Sequence, residues 1–204
     1  MDTVHNPSFL DFTTYPSIDW ELLALAKRFY EDSDYLYCEV PYAVPVEYNV
    51  TKPHDDPSFI LDAGVFINQP HELVGSAEQG FIYQAYLKNL ASNKMCSITP
   101  CFRVENFSLQ HLPWFMKLEL FHLSNRQEDV DLMLNHAMNF FATHVQPERL
   151  GIIQTSETNW DITLDSIEIG SYGIRDLPEL TFIYGTGLAL PRFNQAKDYY
   201  KGIL

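Results

Sequence analysis

Apolar residues recur every three or four positions in several stretches of the chain, the spacing typical of an amphipathic helix. In the first stretch, residues 17–30, Trp20, Leu23, Ala26 and Phe29 form one apolar stripe. The predicted helices are residues 17–30, residues 77–90, a segment opened by a capping box of Ser124 and Gln127, and a final segment after the glycines at 185 and 187.

Short runs of aromatic and β-branched residues predict strands between these helices. The clearest pair, residues 96–105 and 114–121, is joined by a loop and indicates an antiparallel hairpin. Other strands are predicted at 35–40, 59–61, 64–67, 152–154, 160–169 and 181–184, with a loop over 42–58 and a glycine turn at 170–173. This order predicts an α+β fold and not the strand–helix alternation of a doubly wound sheet.

Length and composition predict one globular domain over residues 1–204. Apolar residues make up 46% of the chain and aromatic residues 14%, which excludes a disordered protein. The formal net charge is −14, and a surface this negative repels phosphate backbones. Broad binding to nucleic acid or to anionic membranes is therefore disfavoured.

Three cysteines, Cys38, Cys96 and Cys101, are an odd number without zinc-type spacing. The N-terminal residues lack the basic and apolar stretches of a secretory signal, and no apolar run reaches the 18 residues of a membrane span. These features predict a cytoplasmic protein without a membrane segment.

Charged residues alternate on the predicted hairpin. Arg103 and Glu105 lie two positions apart on the first strand, so their side chains share a face, and Glu119 on the second strand can reach it. This arrangement fits a binding site, and it also fits a structural ion pair.

Two carboxylates in the C-terminal half, Asp161 and Glu168, are followed by Arg175. Carboxylates that converge beside a polyphosphate are suited to holding Mg²⁺. The alternative is an exposed acidic strand in an acidic protein.

A glycine-rich segment, Gly185-Thr-Gly187, leads to Arg192 and is predicted to turn from a strand into a helix. It is neither a Walker loop nor a dinucleotide fingerprint, because the Lys-Ser/Thr pair and the third glycine are missing. A helix start followed by an arginine favours an anion, and a simple strand-to-helix turn is the alternative.

Taken in order, these features resemble the catalytic core of class II aminoacyl-tRNA synthetases, and in particular the aspartyl/asparaginyl branch. Residues 20–45 resemble motif 1, residues 101–121 motif 2 and residues 182–200 motif 3. The resemblance implies an antiparallel sheet flanked by helices, and a homodimer formed through motif 1. The aromatic residues expected at that interface are Trp20, Phe29, Tyr35 and Tyr37.

The resemblance also implies that the site binds ATP, Mg²⁺ and an amino acid. Its ATP contacts are Arg103 on the α-phosphate, Glu105 and Phe115 on the adenine, His111 on the terminal phosphates, Gly185 and Gly187 in motif 3, and Arg192 on the γ-phosphate. Its Mg²⁺ ligands are Asp161 and Glu168. Its amino-acid contacts are Ser76, Glu78, Lys117, Glu119 for the α-ammonium group, and Arg175 for a carboxylate or carboxamide side chain.

Several positions depart from the family pattern. Trp114 stands where the family usually has Glu, Lys117 replaces an uncharged pocket residue, and Phe81 stands where an aspartate-specific lysine is expected. In motif 3, Ala189 replaces a glycine and Pro191 replaces an acidic residue. This pattern indicates retained ATP chemistry with a changed substrate or acceptor.

The leading hypothesis is an ATP-dependent ligase that activates an amino acid as its aminoacyl-adenylate. The acidic charge and the lack of sequence for an anticodon-binding domain make tRNA an improbable acceptor, so ammonia, an amine, a carrier protein or a protein side chain is expected. Two alternatives stay open: a catalytically silent regulatory or binding paralogue, and a minimal tRNA-charging enzyme that depends on a partner.

Overall fold

The computed structural model describes residues 17–48, 60–61, 71–102 and 114–199. The helices in these ranges are α1 (Trp20–Asp32), α2 (Ala77–Tyr86), α3 (Gln127–Ala142) and α4 (Arg192–Tyr199). The strands are β1 (Leu36–Tyr37), β2 (Ala43–Pro45), β3 (Ile60–Leu61), β4 (His71–Leu73), β5 (Lys94–Phe102), β6 (Trp114–His122), β7 (Leu150–Ser156), β8 (Asn159–Leu164), β9 (Ile167–Leu177) and β10 (Leu180–Leu190). None of these described helices is long and apolar enough to cross a membrane.

Seven strands form one sheet in the order β1-β5-β6-β10-β9-β8-β7, and β2, β4 and β3 form a small second sheet. Among the described strand pairs, β1–β5 is parallel and the others are antiparallel. The predicted α+β fold, with a mostly antiparallel sheet flanked by helices, is therefore confirmed.

The predicted hairpin of β5 and β6 lies inside the large sheet. Its strands have nine residues each and pair from Lys94 opposite His122 to Phe102 opposite Trp114. The other edge of β6 pairs with β10. Because side chains alternate between the two faces of a strand, this register decides which residues meet each layer of helices.

One face of the sheet packs against α1 and α3. Leu118 and Leu120 of β6 are fully buried there, together with Tyr30 of α1 and Met133 of α3. The Tyr30 hydroxyl also donates a hydrogen bond of 3.0 Å to the carbonyl oxygen of Gly187. This face therefore joins both helices to the central strands through apolar burial and one buried hydrogen bond.

The opposite face packs against α2 through three stacked phenylalanine rings. Phe121 of β6 lies between Phe81 of α2 and Phe182 of β10, with ring centroids 4.9 and 4.7 Å apart. Ala77 and Ile82 of α2 are fully buried in the same cluster. Beyond this stack the same face carries polar side chains.

Helix α1 differs from its predicted apolar stripe at Trp20. Leu23 and Ala26 are buried as predicted, but Trp20 is 61% exposed and Tyr30 is fully buried. Each residue turns a helix by about 100°, so a strict three-residue step drifts by about 60° each time. Trp20 and Phe29 consequently lie on opposite sides of α1.

The strands near the N-terminal end of the described chain are short. The strand predicted at residues 35–40 is only the two-residue β1, and the loop predicted at residues 42–58 contains β2 followed by a 3₁₀ turn. The prediction at residues 59–61 corresponds to β3. The strand predicted at residues 64–67 lies outside the described residues.

The turn predicted at residues 170–173 is wrong. The chain turns instead at Asp165 and Ser166, both in the left-handed region with φ of 49° and 70°, so β8 and β9 replace the single predicted strand. Asp tolerates this conformation because its short polar side chain can bond locally. Gly173 lies inside β9, where a Cβ atom would collide with the carbonyl oxygen of Thr158 at 2.6 Å.

The capping box predicted at the start of α3 is also wrong. The N-cap is Arg126, whose side chain makes no capping hydrogen bond. Ser124 instead hydrogen-bonds to Asp129 in the first turn, and Arg126 Nε donates to the same carboxylate at 2.8 Å. The carboxylate of Asp129 therefore organises the entrance to α3.

The predicted turn at Gly185 and Gly187 is part of β10, and α4 begins only at Arg192. Both glycines adjoin the core that packs on α1 and α3. A Cβ atom at Gly185 would lie 2.5 Å from Met133 Sδ, and one at Gly187 would lie 2.8 Å from a ring carbon of Tyr30. Close packing of helices on the sheet therefore explains why these positions hold glycine.

We predict that Gly187→Ala lowers the free energy of unfolding by about 1–3 kcal/mol, because the added methyl group overpacks the contact between β10 and α1. Denaturant unfolding followed by circular dichroism measures the change. Gly151→Ala is the control, because a Cβ atom there meets only the Thr163 hydroxyl at 3.1 Å. Equal stabilities of the two variants contradict the packing role of Gly187.

Candidate functional site

Five buried polar residues lie together on the face of the large sheet that carries α2. Ser97 and Thr186 are both opposite Glu119 in the strand pairing, and Thr99 is opposite Lys117. Directly opposite residues in an antiparallel sheet share a face. We call these five residues, Ser97, Thr99, Lys117, Glu119 and Thr186, the polar patch.

A buried ion pair forms the centre of the polar patch. Lys117 Nζ lies 3.1 Å from Glu119 Oε1, and the backbone N–H of Ala77 donates to Glu119 Oε2 at 3.0 Å. Glu119 is only 1% exposed. Because Ala77 is the first residue of α2, the carboxylate also meets the positive end of that helix. Both oxygens of Glu119 are thus already hydrogen-bonded.

The start of α2 is held by a capping box. The Ser76 hydroxyl accepts a hydrogen bond from the N–H of Glu78, and the Gln79 side-chain oxygen accepts one from the N–H of Ser76 at 2.8 Å. Ser76, predicted from the resemblance to line an amino-acid pocket, therefore has a defined structural task. It positions Ala77 and Glu78 above the sheet.

Glu78 and Arg175 meet although 97 positions separate them. Arg175 Nε donates to Glu78 Oε1 at 3.1 Å, and the guanidinium group lies over the Tyr184 ring at 4.5 Å. The Tyr184 hydroxyl in turn donates to Asn159 Oδ1 at 2.9 Å. This network connects α2 to β8, β9 and β10.

Burial raises the pKa of Glu78 to about 7, although the Arg175 guanidinium opposes the increase. The charges of Glu119 and Lys117 also act on this pKa, in opposite directions. The Glu78–Arg175 pair and the polar patch are therefore electrostatically coupled parts of one site.

Asp161, Glu168 and Arg192 form a third group on this face. Arg192 Nη1 lies 3.0 Å from Glu168 Oε1. Burial raises the pKa of Asp161, the neighbouring Glu168 raises it further, and a hydrogen bond from Ser171 and the charge of Arg192 lower it. The structure thus brings the two predicted carboxylates and Arg192 together. Among the described residues, however, no three His, Cys, Asp or Glu side chains form a metal-binding group.

Phe115 lies near the start of β6, two positions before Lys117, and its side chain therefore points to the same face. It is half-buried, and its strand partner is Cys101. The neighbouring Trp114 packs against the core on the opposite face. Phe115 consequently lies on the same sheet face as the polar patch.

Three predicted ATP contacts, Arg103, Glu105 and His111, lie outside the described residues. Gly185 and Gly187 face the core with α1 and α3, and the helix start predicted there is absent from the described chain at that position. The ATP-binding roles predicted for all five of these residues stay predictions.

The sequence analysis missed four residues of this face: Ser97, Thr99, Thr186 and Tyr184. Ser97 Oγ and Thr99 Oγ1 are fully buried and have no hydrogen-bond partner among the described residues. A signal existed, because both residues alternate with the apolar Cys96 and Ile98 in a central strand. Polar residues at every second position of a strand buried on both faces indicate a polar site.

Comparison with known proteins relates the fold to solved structures. No protein-family model and no curated protein sequence matches the chain. The structure of Desulfitobacterium hafniense PylSc, a pyrrolysyl tRNA synthetase, superposes with a TM-score of 0.70 and 14% identity over 93% of this chain and 70% of that one. The fold is that of a class II aminoacyl-tRNA synthetase catalytic domain.

Two seryl enzymes share this fold. Seryl-tRNA synthetase from Pyrococcus horikoshii, complexed with ATP, has a TM-score of 0.64 and 16% identity over 87% of this chain. The cytoplasmic serine-tRNA ligase of Naegleria fowleri, in complex with AMP, has a TM-score of 0.61 and 15% identity over 85% of it. This chain covers 49% and 46% of those two chains. The expected aspartyl/asparaginyl branch is not confirmed by these neighbours.

We predict that Glu78 makes stability depend on pH. Its pKa is about 7 in the folded chain against an ordinary 4.5, so between these pH values the folded state binds the proton more tightly than the unfolded state. Raising the pH through this window therefore lowers the free energy of unfolding of the wild type. Relative to Glu78→Gln, which does not titrate, the wild type loses stability from pH 4.5 to 7 and then levels off.

Urea unfolding of both proteins at several pH values measures this difference. Parallel stability curves across the window contradict the raised pKa of Glu78.

Proposed function

We propose that the chain binds ATP and an amino acid and joins them into an aminoacyl-adenylate with release of pyrophosphate. One observation carries the proposal: a single sheet face gathers the polar patch, the Glu78–Arg175 pair and the group of Asp161, Glu168 and Arg192. This grouping occurs in a fold whose solved neighbours include a complex with ATP and a complex with AMP.

The reaction needs placement and charge stabilisation more than proton transfer. A carboxylate oxygen of the amino acid attacks the α-phosphorus of ATP, and a new phosphorus–oxygen bond forms. The bond from the α-phosphorus to the oxygen bridging the β-phosphate breaks, and pyrophosphate leaves with the electron pair. Cationic groups fixed beside the phosphates stabilise the charge in the transition state. Arg192 is the described candidate, and Arg103 is the candidate predicted from the sequence.

Asp161 and Glu168 fit a Mg²⁺ ion in their chemistry, because Mg²⁺ prefers oxygen ligands and is commonly held by one or two carboxylates together with phosphate oxygens. The raised pKa of Asp161 reflects burial next to another carboxylate, a repulsion that a cation would relieve. Such an ion would neutralise charge on the phosphates. Arg192, already paired with Glu168, would hold the γ-phosphate.

On the substrate side, the proposal uses Glu78 and Arg175, which form an ion pair on the α2-bearing face. The Arg175 guanidinium, stacked on Tyr184 and paired with Glu78, is held in place for a polar or acidic side chain of the substrate. Phe115 would stack on the adenine. These contacts support a preference for an amino acid with a polar or acidic side chain, as in aspartyl/asparaginyl enzymes.

The proposed acceptor of the activated amino acid is a small amine or a protein group rather than tRNA. Its support is the net charge of −14, which gives a polyanion no broad electrostatic attraction. The structural neighbours are tRNA synthetases by name, so tRNA is the competing acceptor. Transfer of the activated amino acid to total tRNA would contradict the proposed acceptor.

A second candidate function is that of a regulatory or binding paralogue without catalysis. It is favoured by the Lys117–Glu119 pair, because an ammonium group of the chain itself already occupies the carboxylate predicted to bind the substrate ammonium. Calorimetry separates the candidates. Amino-acid binding without ATP binding favours the second, and ATP binding in the presence of Mg²⁺ favours the first.

We predict amino-acid-dependent exchange of labelled pyrophosphate into ATP, measured with each of the 20 standard amino acids. Arg192→Met lowers the exchange rate by about a hundredfold, because it removes a fixed positive charge at the phosphates. Arg126→Met is the matched control, because Arg126 pairs with Asp129 at the start of α3. It should exchange at the wild-type rate.

No exchange with any amino acid contradicts the proposed reaction. Full exchange by Arg192→Met contradicts the role of Arg192 while leaving the reaction itself in place.

We also propose a homodimer formed through α1 and β1. Trp20 and Leu36 are 61% and 46% exposed on these elements and are free to form an interface. Tyr35, one of the aromatic residues expected at the interface, belongs instead to the core of the chain at 2% exposure. The proposed interface therefore contains fewer aromatic residues than the sequence predicts, because Tyr35 is not available to it.

We predict that light scattering at micromolar concentration gives the mass of a dimer and that Leu36→Glu gives a monomer, because a charge would be buried in the interface. Leu132→Glu on α3 is the matched control, because Leu132 is similarly exposed. A wild-type monomer, or a Leu36→Glu dimer of unchanged affinity, contradicts the proposed interface.

A further inference from the structure

In the described part of the chain, the polar patch contains buried hydrogen-bond donors that have no acceptor. Ser97 Oγ and Thr99 Oγ1 are fully buried, and neither has a partner among the described residues. A buried hydroxyl that makes no hydrogen bond loses its contacts with water without compensation, and native proteins rarely hold two close together without a reason. Ser97 and Thr99 lie two positions apart on β5 and share one face of the sheet. Their two hydroxyls mark a place where a ligand can supply the missing hydrogen-bond acceptors.

Lys117 adds further donors to the same place. Its ammonium group carries three N–H bonds, and within the described residues Glu119 accepts one of them. Thr99 is the direct neighbour of Lys117 across the β5–β6 hairpin. The remaining ammonium donors and the two hydroxyls therefore occupy the same region of the sheet face.

The carboxylate oxygens of the polar patch already accept hydrogen bonds from within the chain. Glu119 receives Lys117 on one oxygen and the N–H of Ala77 on the other. Glu78, in the first turn of α2, accepts a hydrogen bond from Arg175. Glu119 and Glu78 are thus each paired with a cation, whereas the hydroxyls of Ser97 and Thr99 have no acceptor within the described ranges.

We propose that Lys117 sets the ligand specificity of the polar patch, which binds a carboxylate or amide oxygen of the substrate and excludes an ammonium group. This inference rests on the proposed function only in taking the sheet face as the substrate site. Lys117 and the hydroxyls of Ser97 and Thr99 donate to the substrate oxygen, and Glu119 holds Lys117 in position.

The polar patch disfavours a ligand that carries an ammonium group. To reach Glu119 it would have to displace Lys117, and two like charges would then share a poorly solvated space. The carboxylate that the sequence analysis assigned to the substrate α-ammonium group is therefore satisfied from within the chain. The polar patch is therefore expected to discriminate between polar groups: it accepts oxygen acceptors and rejects ammonium groups.

The test uses three four-carbon probes that differ only in their end groups: succinate, succinamide and 1,4-diaminobutane. Titration calorimetry of the full chain at neutral pH, without ATP, measures their affinities. We expect succinate to bind best, succinamide more weakly, and 1,4-diaminobutane at least about tenfold more weakly than succinate, since hydrogen bonds to charged groups are the stronger ones.

One variant and a matched control measure the contribution of Lys117 to binding. Lys117→Met should weaken succinate binding by at least about tenfold and improve binding of 1,4-diaminobutane, because Glu119 loses its cation. Lys94→Met is the matched control, because Lys94 lies on the same hairpin but donates to the carbonyl oxygen of Ser33. It should leave all three affinities unchanged.

Thr99→Val keeps the proposal testable if Lys117→Met does not fold. It removes a buried hydroxyl without a partner while conserving shape, so stability should hold or increase while succinate binding weakens by about threefold or more. A merely structural threonine would change stability and not the affinity for succinate.

Three outcomes overturn the inference: no binding of any probe, binding of 1,4-diaminobutane as tight as that of succinate, or succinate binding that neither Lys117→Met nor Thr99→Val changes. Failure of the proposed function is distinguishable, because binding of succinate without pyrophosphate exchange for any amino acid overturns only the reaction. Exchange together with a preference for 1,4-diaminobutane overturns only the inference.

Discussion

The pairing register of β5, β6 and β10 is the constraint on which the rest of the structure depends. In this register Leu118 and Leu120 face α1 and α3, while Lys117 and Glu119 face α2. A shift by one residue would exchange the faces and bury the ion pair among aromatic side chains of the core. The large apolar face therefore fixes the position of the polar site on the opposite face of the sheet.

Contacts made by α2 connect this site to the fold. Its first N–H binds Glu119, its second residue, Glu78, binds Arg175, and Phe81 stacks on the sheet below. The capping box at Ser76 fixes the helix end from which these contacts depart. Apolar stacking at the middle of α2 and buried polar contacts at its start thus hold the helix in one position over the sheet, which preorganises the candidate site.

Sequence patterns predicted the elements whose periodicity is strong. Alternation predicted the β5–β6 hairpin, and helical spacing predicted α1 with Leu23 and Ala26 on its buried side. Glycine is an ambiguous turn marker between β8 and β9, because Gly173 serves close packing inside β9 whereas Asp165 makes the turn. Local patterns could not reveal that Glu78 meets Arg175, because that contact depends on the tertiary fold.

Hydrogen–deuterium exchange of the full chain, with and without ATP and Mg²⁺, tests most directly whether the α2-bearing face of the sheet is the ligand site. Binding at that face predicts slower exchange of backbone amides at the starts of α2 and α4 and in β8 and β9, with α1 and α3 unchanged. Protection confined to α1 and α3, or no protection at saturating ATP, would contradict the assignment of the site.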